Sequence, residues 1–132
     1  MQREKINPSG VVPASYEYAV RTGNLLWIAG QLGLDESGNV VSPDAGVQAE
    51  QAMDNLERVL EAAGGSLADV VFVRTYVTHW ALRDPVKAVI QRRFGAKRPP
   101  STTLVIVSLG YVASVVEIEA TAVLGETRAG ND

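Results

Sequence analysis

Apolar and polar residues alternate along residues 115–123, near the C-terminal end of the chain. On a β-strand, this period of two sends Glu117, Glu119 and Thr121 to one face and the intervening apolar side chains to the other. A second β-type run covers residues 98–107 and is its expected partner. Side chains two positions apart on a strand stand about 6.6–7 Å apart, so two carboxylates influence each other's charge. The pattern fits either a paired-carboxylate site or the polar face of a half-buried strand, and the spacing alone favours the polar face.

The N-terminal half predicts a hairpin followed by a helix. Residues 16–21 and 25–29 are strand-like, and the Thr22-Gly23-Asn24 sequence between them tolerates the positive φ of a tight turn. A helical spacing of apolar residues follows the potential N-cap groups of residues 42–44 and ends at Gly64-Gly65. The polar face of this helix is expected to be a solvated surface without chemistry. Its predicted apolar stripe is Val47, Ala52, Met53, Leu56, Val59, Leu60 and Ala63.

The second half predicts a central strand, a second helix and the C-terminal strand pair. Residues 70–79 are β-branched and aromatic, as in a long strand with both faces covered. Asp84-Pro85 is a typical N-cap and first position of a helix that ends at Gly95, and residues 109–111 form the turn between the last two strands. This order predicts an α+β fold with a mixed sheet covered by two helices on one face. The other face is expected to be buried against copies of the chain.

Composition narrows the class of protein. A chain of 132 residues suits one domain, which we place at residues 1–124, followed by a disordered tail at residues 125–132. The net charge of −3 argues against nucleic acid or an anionic membrane as a partner. The absence of cysteine excludes disulfides and thiol chemistry, and the single His79 cannot form a histidine cluster, so no metal site is expected. The N-terminal residues lack an apolar leader, so a cytoplasmic location is expected.

Segments spread from Tyr16 to Val123 match one known family in order and spacing. They are Tyr16, Thr22-Gly23-Asn24 with Ala29-Gly30-Gln31, residues 48–56 and 61–64, Arg98-Pro99-Pro100-Ser101, and residues 116–120. Together they resemble the reactive-intermediate deaminase family, also called the Rid or YjgF family. The resemblance implies a chorismate-mutase-like fold and a homotrimer whose sheets form a central barrel. It further implies clefts between subunits that bind small carboxylic acids, and cofactor-independent hydrolysis of 2-imino and 2-enamino acids to 2-keto acids and ammonia.

The resemblance also implies which residues act on the substrate. Tyr16 matches the site tyrosine of the family, and Glu117 matches the glutamate that holds the attacking water or the leaving nitrogen. Imine hydrolysis needs a positioned water and proton transfer to nitrogen, which a carboxylate and a phenol can share. Tyr16 and Glu117 are therefore the predicted catalytic residues.

The predicted substrate-binding residues depart from the family pattern. Ser101 stands where typical members carry an arginine that grips the substrate carboxylate with two charge-assisted hydrogen bonds, and a serine offers one neutral donor instead. Lys87 stands where a family asparagine is found, and residues 109–113 hold one residue more than the usual turn. The predicted binding group is Ser101, Thr103, Lys87 and Arg98, in which Lys87, Arg98 or backbone N–H groups replace the missing clamp.

Three functional hypotheses stay open at this point. The first is a Rid-like imine or enamine hydrolase with an altered anion clamp. The second is a non-catalytic trimer that binds or senses a small molecule. The third is a different reaction, hydrolytic or biosynthetic, on a substrate without a free carboxylate. A ribonuclease activity, sometimes attributed to the family, has little support in an acidic chain without a basic stripe.

The remaining conspicuous residues are interpreted as structural. His79 at a strand end could act as an acid or base near neutral pH, but a structural role is favoured. Trp27, Tyr18 and Tyr76 are assigned to sheet packing. Arg92-Arg93 is interpreted as a solvated helix end that favours the helix dipole.

Overall fold

The computed structural model describes residues 2–12 and 14–125 as one six-stranded sheet with two α-helices. The strands lie in the order β1-β2-β3-β6-β4-β5, and of these neighbours only β4 and β5 run parallel. This mixed sheet confirms the predicted α+β fold. The predicted tail, apart from Gly125, lies outside the described residues. The elements are β1 (Arg3–Ile6), β2 (Ala19–Thr22), β3 (Leu25–Leu32), α1 (Ala45–Ala62), β4 (Val70–Val77), α2 (Arg83–Phe94), β5 (Ser101–Val105) and β6 (Val116–Val123).

One strand was not predicted, and the bounds of the others differ from the prediction; β4 ends at Val77, and β5 covers only Ser101–Val105. The unpredicted strand β1 pairs with β2 at the edge of the sheet, where three of its four residues are exposed and only Ile6 is buried. Charged residues protect an edge strand from further pairing, and they also hide its apolar periodicity. Strand β2 begins at Ala19 instead of Tyr16, and β3 continues through Gly30 to Leu32.

Helix α1 forms as its cap predicts, since the Oδ1 of Asp44 accepts a hydrogen bond from the Val47 N–H at 3.1 Å. Its predicted apolar stripe is buried except at Val47, which is 46% exposed, and Gln48 is fully buried beside it. The Gln48 amide donates to the carbonyls of Ser42 and Ala113 and accepts from the Val115 N–H, which fixes the segment that leads into β6.

Part of the polar face of α1 is a contact with α2 and not the solvated surface that was predicted, whereas Glu61 on the same helix is exposed. The guanidinium of Arg93 on α2 is only 15% exposed and binds the carboxylates of Glu50, Asp54 and Glu57 on α1. Arg92 also pairs with Glu50. The prediction of a solvated basic helix end is therefore wrong for Arg93, whose three acidic partners lie on a different element and could not be read from local charge.

Helix α2 begins two residues earlier than its cap signal predicts. Leu82 is the N-cap and provides no side-chain cap, so Pro85 lies within the first turn, where its missing N–H is tolerated. Residue Arg83 thereby becomes the first helical residue and faces the sheet side of the helix together with Val86.

The core lies between the helices and one face of the sheet, and the other face remains open. Strand β6 alternates as predicted, with its apolar residues at 4% exposure or less on the core face. The open face carries apolar side chains that are 39–54% exposed: Leu25, Trp27, Val71, Leu104 and Val123. No helix in the described part of the chain is both long and apolar enough to span a bilayer.

Candidate functional site

A β-bulge in β3 creates the close contact on which the candidate site is built. Ile28 pairs with Ala120 and Gln31 with Ile118, so two residues of β3 lie opposite one residue of β6. One of the two is Gly30, and the side chain of Glu117 lies over its Cα. A Cβ added to Gly30 would lie 1.7 Å from the Glu117 Oε2. Only glycine leaves room for the carboxylate at this position.

The two carboxylates of β6 have different surroundings. The Tyr76 hydroxyl donates to Glu119 Oε1 at 2.5 Å, and the Arg74 Nη1 donates to Glu119 Oε2 at 3.2 Å. Within the described part of the chain, Glu117 has neither a hydrogen-bond nor an ion-pair partner. Burial raises the pKa of Glu117, and the neighbouring charge of Glu119 adds to this effect. Glu117 is therefore the carboxylate that is free to hold a ligand or a water molecule.

Tyr76 does more than pack in the sheet. Its hydrogen bond to Glu119 is the main reason why the pKa of its phenol is raised, and it lies directly opposite Glu117 in the β4–β6 register. Sequence reasoning missed this contact because it links neighbouring strands that are far apart in the chain. The sequence did offer one signal: Arg74 and Tyr76 are two positions apart, so they share one face of β4 and can contact a carboxylate of a neighbouring strand.

Tyr16, in the segment before β2, lines a cleft that includes Gly30 but not Glu117. It is 58% exposed and lines a small cleft of about 50 Å³ together with Gly30 and Gln31. Its ring lies 6.4 Å from the ring of Tyr18, centre to centre, and the Tyr18 hydroxyl donates to the Val12 carbonyl at 2.5 Å. Gly30 thus touches the Glu117 carboxylate and also lines the cleft of Tyr16, and we call these three residues the Gly30 cluster.

The predicted binding residues occupy a second location. Ser101, Thr103 and Lys87 line a groove of about 330 Å³ between α2 and β5, which we call the α2–β5 groove. Arg83 and the buried Thr75 also line it. Arg98 is separate from this group. It lines an adjacent cavity of about 390 Å³ near the end of α2, which shares Ser101 but not Lys87.

Strand register places the two locations on opposite faces of the sheet. Ser101 pairs with Val73, and Val73 is buried beneath the helices at 1% exposure. Glu117 pairs with Tyr76, whose side chain points to the open face. Paired residues project to the same face of a sheet, and β4 separates β5 from β6. In one protomer, a small ligand cannot contact both Glu117 and Ser101.

The other singled-out residues take no part in either location. The Nδ1 of His79 accepts a hydrogen bond from the Ala81 N–H at 3.1 Å and caps the short 3₁₀ turn of Trp80–Leu82, in keeping with the structural interpretation. Trp27 lies on the open face. Over residues 2–12 and 14–125, no three carboxylate or imidazole side chains converge on a position where they could hold a metal ion.

Comparisons with known proteins converge on one family. The family model described as endoribonuclease L-PSP matches residues 9–124. The 3-aminoacrylate deaminase RutC of Acinetobacter baylyi is 33% identical over 125 residues, which cover 92% of this chain and 98% of that protein. A RutC family protein of Pyrococcus horikoshii is 34% identical over 81% of this chain and 85% of its own.

Solved structures show the same likeness in three dimensions. The crystal structure of RidA from an Antarctic Psychrobacter species superimposes with a TM-score of 0.84 at 30% identity, over 92% of this chain and 100% of that one. A YjgF family member from Mycobacterium tuberculosis gives a TM-score of 0.81 at 32% identity, over 93% of this chain and 100% of that one.

Proposed function

The chain belongs to the endoribonuclease L-PSP family, which is the Rid or YjgF family, and from this membership we propose that it hydrolyses small 2-imino or 2-enamino acids. Among its relatives, the protein from Acinetobacter baylyi is named for the deamination of 3-aminoacrylate, an enamine that carries its nitrogen on C3 instead of C2. The proposed products are the corresponding 2-keto acid and ammonia. The natural substrate would be a short reactive metabolite with a carbon–nitrogen double bond or its enamine tautomer.

The observation that carries the proposal is the unpaired carboxylate of Glu117, held over Gly30 with a raised pKa. In the proposed reaction, water adds to the imine carbon and gives a proton to Glu117. That proton passes from Glu117 to the nitrogen, which gives a carbinolamine. The hydroxyl of this intermediate then gives its proton through Glu117 to the nitrogen as the carbon–nitrogen bond breaks, so that ammonia leaves and the carbonyl forms. A carboxyl group with a pKa closer to neutrality transfers protons more effectively in both directions. The Tyr16 hydroxyl, near Gly30, would donate to the substrate nitrogen or to the developing carbonyl oxygen.

The proposal includes a homotrimer, because a complete site needs more than one protomer. The Glu117 side chain and the α2–β5 groove lie on opposite faces of one sheet. A ligand that touches both must therefore lie between two copies of the chain. The exposed apolar side chains of the open face, Trp27 among them at 54% exposure, favour such an assembly, since a patch of this kind is normally covered.

We do not extend the family's description as an endoribonuclease to this chain. Binding of RNA depends on cations that neutralise several phosphates along a surface. Here the net charge is −3, and Arg74 and Arg93 are engaged by carboxylates of the chain itself. The charge distribution therefore favours a small ligand over a polyanion.

The experiment that tests the proposal follows 2-aminoacrylate or 2-iminobutanoate generated in place by a pyridoxal-phosphate enzyme. We expect the wild-type protein to speed the release of keto acid and ammonia above the spontaneous rate. Glu117→Gln should abolish this acceleration, and Glu61→Gln, which changes an exposed glutamate of α1, should not. A wild-type rate equal to that of buffer, together with tight binding of a 2-keto acid, would favour the non-catalytic binding function instead.

A further inference from the structure

Arg83 is the one arginine in the described part of the chain whose guanidinium has a buried nitrogen without a partner. Its Nε is removed from solvent and makes no hydrogen bond. The guanidinium carbon lies 3.8 Å from the centre of the Trp80 ring, so the group stacks on the indole face. Buried donors in native proteins are nearly always hydrogen-bonded, and an unsatisfied one beside an open groove indicates a missing acceptor.

Other arginines of the chain show what a purely structural role looks like. Arg74 is bound by Glu119, and Arg93 is bound by three carboxylates of α1. In contrast, neither Arg83 nor Lys87 forms an ion pair with any described residue. The two cations are four positions apart on α2, where like charges repel each other across one helical turn. An anion bound between them would remove that repulsion.

The wall opposite these cations is made of hydroxyl groups. Thr75 on β4 and Ser101 and Thr103 on β5 line the α2–β5 groove together with Arg83 and Lys87. Hydroxyls donate hydrogen bonds to an anion without adding charge. No carboxylate lines this groove, so nothing in it competes for the two cations. Its volume of about 330 Å³ suffices for a short organic acid.

We propose that Arg83 holds the carboxylate of the ligand in the α2–β5 groove, with Lys87 and the β5 hydroxyls as additional donors. Arg83 would thus do from helix α2 what the resemblance assigns to an arginine at position 101 on the strand. Stacking on Trp80 fixes the plane of the guanidinium, so less side-chain entropy is lost when the planar carboxylate binds with two parallel hydrogen bonds. This inference rests on the proposed function only in naming the anion as a substrate carboxylate.

The test is calorimetric binding of 2-oxobutanoate, the product of 2-iminobutanoate hydrolysis, compared with its neutral amide 2-oxobutanamide. We expect wild type to bind the acid more tightly than the amide. Arg83→Gln should weaken binding of the acid about ten- to a hundredfold, the loss expected for a charge-assisted hydrogen bond, and leave the amide unchanged. Arg83→Lys should bind the acid with an affinity between those of wild type and Arg83→Gln, since lysine keeps the charge but cannot form two parallel hydrogen bonds. Lys97→Gln, an exposed cation outside the groove, is the matched control.

A second variant distinguishes a lost clamp from a damaged fold. Adding Ser101→Arg to Arg83→Gln should restore binding of the acid, because the guanidinium returns to the same groove from the strand. The inference is overturned if Arg83→Gln binds the acid as tightly as wild type, or if wild type does not prefer the acid to the amide. Binding is measured without turnover, so the two proposals can fail separately. If wild type hydrolyses imines but does not prefer the acid to the amide, only the proposed role of Arg83 is refuted. An Arg83-dependent preference in a protein without hydrolysis refutes the proposed reaction alone.

Discussion

Replacement of Gly30 by alanine tests the candidate site directly, because this residue touches the proposed catalytic group and bears no functional atom itself. The added Cβ would lie 1.7 Å from the Oε2 of Glu117, 2.6 Å from Cδ and 2.9 Å from Cγ, and real Cβ contacts are essentially never shorter than 3.0 Å. The carboxylate must therefore move by more than an ångström. A misplacement of about 1 Å at a reacting group can lower a rate about a hundredfold.

The same geometry predicts that Gly30→Ala leaves the fold intact. The clashing atoms belong to the end of a flexible side chain, and the φ of Gly30 lies outside the left-handed region that favours glycine. Alanine stabilises a strand interior by about 0.5–1 kcal/mol relative to glycine, which offsets the roughly 0.5–1.5 kcal/mol of an off-rotamer glutamate. The net change in the free energy of unfolding should stay within about 1 kcal/mol, or about 4 °C in Tm.

The assay pairs imine hydrolysis with thermal unfolding for Gly30→Ala and for the control Gly110→Ala, whose added Cβ meets no atom within 4 Å. Expected results are a hydrolysis rate near that of Glu117→Gln for the first variant and a wild-type rate for the second. Wild-type hydrolysis by Gly30→Ala would refute the idea that the carboxylate works from its place over the bulge. A large drop in Tm for Gly30→Ala would show that the bulge is needed for folding.

Four further predictions use other contacts of the structure. The raised pKa of Glu117 means that its ionised form is unfavourable in the folded protein. Its contribution to the free energy of unfolding is therefore fully present below the ordinary pKa of 4.5 and is lost as the pH rises through the raised pKa. Glu117→Gln should therefore raise Tm at pH 7.5 and match wild type at about pH 3.5. Glu119→Gln should move the acid limb of the pH–rate profile of hydrolysis to lower pH, because the charge of Glu119 raises the pKa of Glu117. Gln48→Met should reduce the free energy of unfolding by about 2–5 kcal/mol in urea titrations. The change leaves the Val115 N–H and the carbonyls of Ser42 and Ala113 without their hydrogen bonds to Gln48. Trp27→Lys should turn the proposed trimer into monomers in light scattering; an unchanged mass would place the assembly surface elsewhere.

The parts of the fold with local signals could be predicted from sequence. Alternation in β6, the Asp44 cap of α1 and the β-branched run of β4 each depend on residues close together in the chain, and the structure shows all three. The errors arose where a distant residue decides the outcome. Gln48 is buried because three backbone groups of two loops need its amide. Strand β1 forms because β2 offers it an edge, although its own sequence is charged.

The sequence offered candidate residues for the site but not their arrangement. The family resemblance supplied Tyr16, Glu117 and Ser101. The structure shows Glu117 over Gly30, Tyr16 in a cleft that Gly30 also lines, and Ser101 on the face opposite Glu117. Arg83 carried no signal, because its helix starts earlier than the Asp84-Pro85 cap predicts and because the burial of its Nε depends on the stacking Trp80. Glu117 and Ser101 lie on opposite faces because of the register between β4, β5 and β6. Alternation within a single strand does not determine this register.

The register links the proposed chemistry to assembly. Glu117 lies on β6 and its side chain is on the open face, whereas Ser101 lies two strands away and its side chain is on the helix face. Neighbouring strands are about 4.8 Å apart, so the two side chains are separated by nearly 10 Å across the sheet and by the sheet itself. A short imino acid is smaller than this separation. If one ligand is held at its carboxylate by Arg83 and attacked beside Glu117, these two residues must come from different protomers. Mixing Arg83→Gln protomers with Glu117→Gln protomers should then restore hydrolysis at the interfaces where both native residues meet, and a mixture as inactive as its parents, with subunit exchange verified, would contradict a shared site.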